Sequence, residues 1–192
     1  MKHSSSQALF AYWNERRGLR SAPERGDIEP GGIGRALSDS FILAIDAAAA
    51  NPLRLAGTRI CGLFGREIRG VSFETLWQES DRETVGDLIV AVADDSIGLT
   101  AGARGRTAEG YAVDLELLLL PLRHRGRTHA RQIGVLAPLT VPFWLGSSPV
   151  IDLTLLAHRY LGVTRPATTS GAGPAPNGRS RRGLMVYEGG RS

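Results

Sequence analysis

The feature that most constrains this chain is a change of apolar period near residue 96. Ser80 and Glu83 form a capping box, and Val85, Leu88, Ile89 and Val92 follow at i, i+3, i+4 and i+7, which predicts a helix from Ser80 to Asp95. Beyond Ser96 the period becomes two. Leu99, Ala101 and Ala103 alternate with Thr100, Gly102 and Arg104, and Val113, Leu115 and Leu117 alternate with Asp114 and Glu116. A turn near Glu109 and Gly110 makes these an antiparallel pair, with Arg104 and Arg106 beside Asp114 and Glu116 on the outward face. Gln132 to Ala137 supplies a further strand after the basic stretch Arg123 to Arg131.

Upstream, the pattern predicts a strand pair. Phe41 to Ile45 is a short apolar run and Leu53 and Leu55 flank Arg54, with Asp46 to Pro52 between them, although Ala47 to Ala50 also suits a helix. Thr58 and Ser72 cap two short helical pieces separated by Gly65 and Gly70. Ser4 and Gln7 form another capping box, and Leu9, Phe10, Tyr12 and Trp13 give an N-terminal helix ending at Gly18. Ser21 to Gly34 reads as an extended loop. Ile151 to Leu161, with Leu153, Leu155, Leu156 and Tyr160, is expected to close the domain as a helix. The organisation is therefore an N-terminal helix and loop (1–34), a core (35–140), a closing segment (141–162) and a tail (163–192).

The 192 residues suit one core with extensions. No apolar run approaches the roughly 20 residues that span a bilayer, and no signal-peptide core follows Lys2 and His3, so a cytoplasmic protein is expected. Cys61 is the only cysteine, which excludes an internal disulfide. Residues 163–192 carry five arginines against the single acid Glu188; that balance equals the chain's net +4, so the body sums to zero. Nucleic acid is accordingly not expected to bind except through the tail. The tail is rich in Pro, Gly, Ser and Thr and reads as a flexible linker ending in the apolar Leu184 to Tyr187.

Two strands, helices and three strands in succession resemble the PAS fold, a five-stranded antiparallel sheet with helices on one face around a ligand-sized cavity. Trp13, Arg17-Gly18, the run Pro23-Glu24-Arg25-Gly26-Asp27-Ile28-Glu29-Pro30, Arg54-Leu55-Ala56-Gly57-Thr58 and Phe64-Gly65-Arg66-Glu67-Ile68-Arg69-Gly70 are similar to a subfamily of small stand-alone bacterial PAS proteins. The likeness covers about Gln7 to Leu139, and Glu188-Gly189-Gly190-Arg191 is similar to that group as well. It implies non-enzymatic sensory or adaptor work, a homodimer and a signalling partner, with no attached output module. No cofactor is expected. Haem-binding relatives use a histidine on the long helix, and Ser80 to Asp95 has none; flavin photosensors use an Asn-Cys-Arg-Phe type motif, which Arg-Ile-Cys-Gly-Leu-Phe around Cys61 matches only superficially.

The candidate cavity is lined by Phe41, Leu43, Leu55, Leu99, Ala101, Leu115 and Leu117 of the strands and Phe64, Trp77, Leu88 and Val92 of the helices, though ordinary core packing explains the same residues. Ala101, Ala103 and Gly105 hint at spare room on one strand face. Leu9, Tyr12 and Trp13 form the candidate partner or dimer surface, with the outer sheet face as the other option. Arg123, Arg125, Arg127 and Arg131 are the candidate anion site, set against the reading of a solvated loop. Cys61 is read first as core packing. His3, His124, His129 and His158 show no metal-ligand spacing, and no constellation of nucleophile and base is visible. The alternative function is polyanion or membrane-surface binding through the arginine-rich tail.

Overall fold

The computed structural model describes residues 1–124 and 127–161, together with the short strands Ser180–Arg181 and Leu184–Met185. The rest of the expected flexible tail lies outside the described residues. Six strands form one antiparallel sheet: β1 (Ser40–Ala44), β2 (Leu53–Ala56), β3 (Gly98–Thr107), β4 (Ala112–His124), β5 (Arg127–Pro138) and β6 (Val150–Leu161). Their spatial order is β2-β1-β5-β4-β3-β6. The helices are α1 (Ser4–Arg17), the single turn α2 (Pro30–Ile33), α3 (Thr58–Leu63) and α4 (Glu79–Asp94).

Strand alternation sorts the side chains into two cores. On one face Leu43, Leu99, Leu115, Leu117 and Leu119 meet α3, the 3₁₀ turn Phe73–Leu76 and α4. On the other, Ile42, Leu118, Leu120, Ile133 and Val135 meet Leu9, Tyr12 and Trp13 of α1. Helices therefore cover both faces, not one. Tyr12 and Trp13 are buried, Leu9 is fully so, and the Trp13 indole N–H donates to the Pro121 carbonyl at 2.8 Å. This corrects the expected partner surface: Leu9, Tyr12 and Trp13 belong to the chain's own second core, because the apolar stripe of a helix packs on the nearest uncovered sheet face.

The sheet has a sixth strand where a closing helix is expected. Gly102 pairs with Ala157 and Ala103 with Leu155, so Leu156 is the extra residue of a β-bulge. A bulge shifts the phase of a period-two pattern, and the resulting spacing of Leu153, Leu156 and Tyr160 imitates a helix. The outer edge of β6 is partly occupied: Gln78 N–H donates to Leu153 O at 2.8 Å and Leu155 N–H to the Asp81 carboxylate at 2.8 Å.

Other local expectations meet small differences. The cap of α1 is His3, whose Nδ1 accepts from Ser5 N–H at 3.1 Å, rather than Ser4. Ala47–Ala49 form a 3₁₀ turn started by the Asp46 side chain, which settles the alanine run. Arg104 lies opposite Asp114 and bridges it at 2.7 Å, while Arg106 turns to Asp152 at 3.5 Å.

Glu116, opposite Gly102, is buried and accepts the backbone N–H groups of Lys2 and His3. Burial, the largest single effect, raises its carboxyl, but the Lys2 N–H, the Ser6 hydroxyl, the His3 N–H and the N-terminal charge together outweigh it and hold Glu116 below the ordinary glutamate range. A folded-state value below the unfolded one gives stability that is present above about pH 4.3 and is lost as pH falls through the folded value. Glu116→Gln is therefore expected to flatten the acid limb of a stability-against-pH curve and to speed amide exchange at Lys2 and His3 at neutral pH. An unchanged acid limb would show that this carboxylate does not anchor the N-terminal segment.

Candidate functional site

The inner core, between the sheet and α3, Phe73–Leu76 and α4, gathers every residue of the candidate cavity except Leu55: Phe41, Leu43, Phe64, Trp77, Leu88, Val92, Leu99, Ala101, Leu115 and Leu117. Leu55 is displaced because a bulge pairs Ile42 with Leu55 and Leu43 with Leu53. Leu53 therefore points into the inner core, while Leu55 goes to the opposite face and is 37% exposed. Of the small residues that hinted at room, Gly105 has none to spare. A methyl on Gly105 would lie 3.0 Å from Val150 and 3.2 Å from Leu115.

An aromatic series crosses this core. Phe41 stacks on Phe73 at 5.2 Å, and Phe73 meets Trp77 edge-on at 5.9 Å. The Phe41 ring also lies over the backbone of Gly134, where a side chain would collide with it and with the Leu118 carbonyl. Two polar groups are enclosed with the aromatics. Gln132 faces inward beside Leu43 in the β1–β5 register, and its amide donates to the Ile89 carbonyl at 2.6 Å. Its Oε1 has no partner among the described residues, and neither has the indole N–H of Trp77. Both residues are almost wholly buried. An acceptor and a donor left open in an apolar interior cost about 1–3 kcal/mol each, which distinguishes them from ordinary packing. Sequence reading placed Trp77 here but missed Gln132; the available signal was a polar residue at the head of the otherwise apolar strand Gln132 to Ala137.

Cys61 on α3 is half-buried at the rim, its Sγ 3.5 Å from Glu67, and burial first, then Glu67, pushes its thiol up. A thiol so held stays protonated at neutral pH. Among the described residues no group of histidines, cysteines and carboxylates is arranged to hold a metal ion. Of the basic stretch, Arg123 bridges Glu24 at 3.4 Å and Arg131 is half-buried on β5; Arg125 and the side chain of Arg127 lie outside the described residues.

The exposed surface holds two further features. A groove of about 450 Å³ runs between Lys2 and the outer face of β3 and β6, lined by Thr100, Gly102, Glu116, Leu156 and Arg159. At the opposite end of those strands Tyr111 stacks on Trp144 at 5.5 Å, and Phe143, 90% exposed, meets Tyr111 edge-on. No helix among the described residues is long and apolar enough to cross a membrane.

An antiparallel sheet with β5 and β4 at its centre, and short helices enclosing an aromatic interior on one face, defines an α+β domain. The PAS domain family matches residues 1–137, and the chain belongs to that family, whose role is in sensing or signalling. Similar solved structures include the Rhodobacter sphaeroides LOV protein (18% identity, TM-score 0.44, covering 57% of this chain and 66% of that one). A PAS domain from Colwellia psychrerythraea is 14% identical, with a TM-score of 0.44 over 54% of this chain and 91% of the other. The PAS domain of an HTR-like protein from Haloarcula marismortui is 18% identical, with a TM-score of 0.41 over 54% and 86%. A comparison with curated proteins gives no match.

Proposed function

We propose that this chain is a non-enzymatic PAS-type regulator whose inner core takes up a small ligand and whose surface reports that state to a protein partner. The carrying observation is the pair of open polar groups, Trp77 N–H and Gln132 Oε1, inside an otherwise apolar core. A ligand that fits offers an acceptor to the indole and a donor to the amide oxygen, and fills space by loosening the packed aromatic series. Among the described residues the side chains gathered around this pair are apolar apart from the Cys61 thiol at the rim, and the reading assigns no catalytic step to them. The homodimer expected from the family uses surface other than Leu9, Tyr12 and Trp13, and the exposed rings of Tyr111 and Phe143, seated on the buried Trp144, are an apolar surface that supports a partner contact.

Native mass spectrometry of the full chain as purified from cells, compared with Gln132→Leu, tests this reading. The expected result is a retained small molecule in the parent and its loss in the variant. The ligand-free variant sheds an unpartnered acceptor but also loses the amide's bond to the Ile89 carbonyl, so it is expected to stay within about 1 kcal/mol of the ligand-free parent. A parent that carries no molecule and is stabilised by none in a metabolite screen, alongside a variant less stable than it, would make Gln132 a structural residue and sink the sensor reading.

A further inference from the structure

Three arginines from separate elements converge on the outer face of the sheet at its β5–β1–β2 end. Arg131 lies on β5 in register with Ala44 of β1, two residues from Ile133. Arg54 is the extra residue of the β2 bulge, between Leu53 on the inner face and Leu55 beside Ile42 and Ile133 on the outer one. Arg25, in the 3₁₀ turn Arg25–Asp27, borders the same small apolar crevice as Leu55, Ile42 and Ile133. The charges act on one another: burial first, then Arg54, then Arg25, holds Arg131 below the ordinary arginine value.

Among the described residues none of the three makes an ion pair, whereas Arg20, Arg59, Arg104, Arg106 and Arg123 each have a carboxylate. Arg25 and Arg131 each spend one N–H on a backbone carbonyl, of Ile28 and Ala130, both at 3.3 Å. Their remaining donors, with those of Arg54, have no partner among the described residues. The neighbouring acid, Glu24, is committed to Arg123 and to closing the Arg25–Asp27 turn. Folding therefore assembles like charges that repel, against an apolar floor that strengthens their fields. Planar guanidinium forks in this arrangement match the oxygens of a doubly charged phosphate.

We propose that Arg25, Arg54 and Arg131 form a binding site for a phosphate dianion, on the opposite face of the sheet from the aromatic core. The test is calorimetric titration of the full chain with inorganic pyrophosphate at matched ionic strength, and flotation with vesicles containing phosphatidic acid against vesicles of phosphatidylcholine alone. Saturable pyrophosphate binding is expected, weakened about tenfold or more by Arg54→Gln and again by Arg131→Gln, and unchanged by replacing Arg179, Arg181 and Arg182 with Gln. Flotation with phosphatidic acid that Arg54→Gln removes, without pyrophosphate binding, assigns the same site to a lipid headgroup. Arg54→Gln is exposed and relieves repulsion, so without anion its thermal midpoint should equal or exceed that of the parent. Binding that survives both substitutions, binding that follows the tail arginines, or no binding in either arm overturns the proposal.

Discussion

Gly134→Ala is expected to leave the protein largely unfolded or to lower its thermal midpoint by about 10 °C or more, a loss on the order of 3 kcal/mol or greater. Gly134 sits on β5 opposite Phe41, and a methyl there would run into both the Phe41 ring and the carbonyl of Leu118 on the next strand. The ring has nowhere to go, since Phe73 stacks against it and Trp77 stands behind. The backbone carbonyl cannot yield without breaking the β4–β5 ladder. Gly62→Ala is the control: in α3 the added methyl meets nothing within 4 Å, and alanine is preferred to glycine in a helix by about 0.5–1 kcal/mol. Circular dichroism melts of the two variants decide the matter. A Gly134→Ala protein as stable as the parent would mean that the Phe41 ring does not close over this strand, and with it would go the aromatic wall proposed beside Gln132.

The same strand shows where the sequence was legible and where it was not. Alternation placed Leu99, Ala101, Leu115 and Leu117 on one face because a two-residue period leaves no other choice, and the Arg104–Asp114 pair followed from the hairpin turn. The helical stripe of Val85, Leu88, Ile89 and Val92 was equally plain. Two of the sheet's bulges failed to show. One sends Leu55 away from Leu53, and the other gives β6 the spacing of a helix; a single inserted residue leaves no compositional mark. Pairing of groups distant in sequence was likewise invisible. Nothing near Glu116 announces that Lys2 and His3 will bind it, and nothing near Arg131 announces Arg25 and Arg54. Candidate lists built from local pattern therefore captured the apolar interior well and its polar members poorly.

Trp13→Ala is expected to cost about 3–5 kcal/mol, because α1 is a structural layer and not a free docking helix. The indole is 3% exposed, packs with Leu120, Leu122 and Ile133, and donates to Pro121 O; truncation opens a cavity and leaves that carbonyl without its partner. Leu19→Ala, at a side chain 98% exposed, should change the melt by less than 0.5 kcal/mol. The two readings of the N-terminal helix separate on concentration. If Trp13 belongs to the chain's own core, the loss is the same in dilute and concentrated protein, and the oligomeric state seen by sedimentation does not move. If it were an interface residue, the parent's stability would rise with concentration and the variant would dissociate at little cost to the fold. The first result also bears on signalling. With α1 seated on the face opposite Gln132 and Trp77, and β4 and β5 contributing to both cores, a ligand that displaces the inner aromatics pushes on strands that α1 rests upon. Amide exchange in α1 should then respond to occupancy of the inner core even though no ligand touches it.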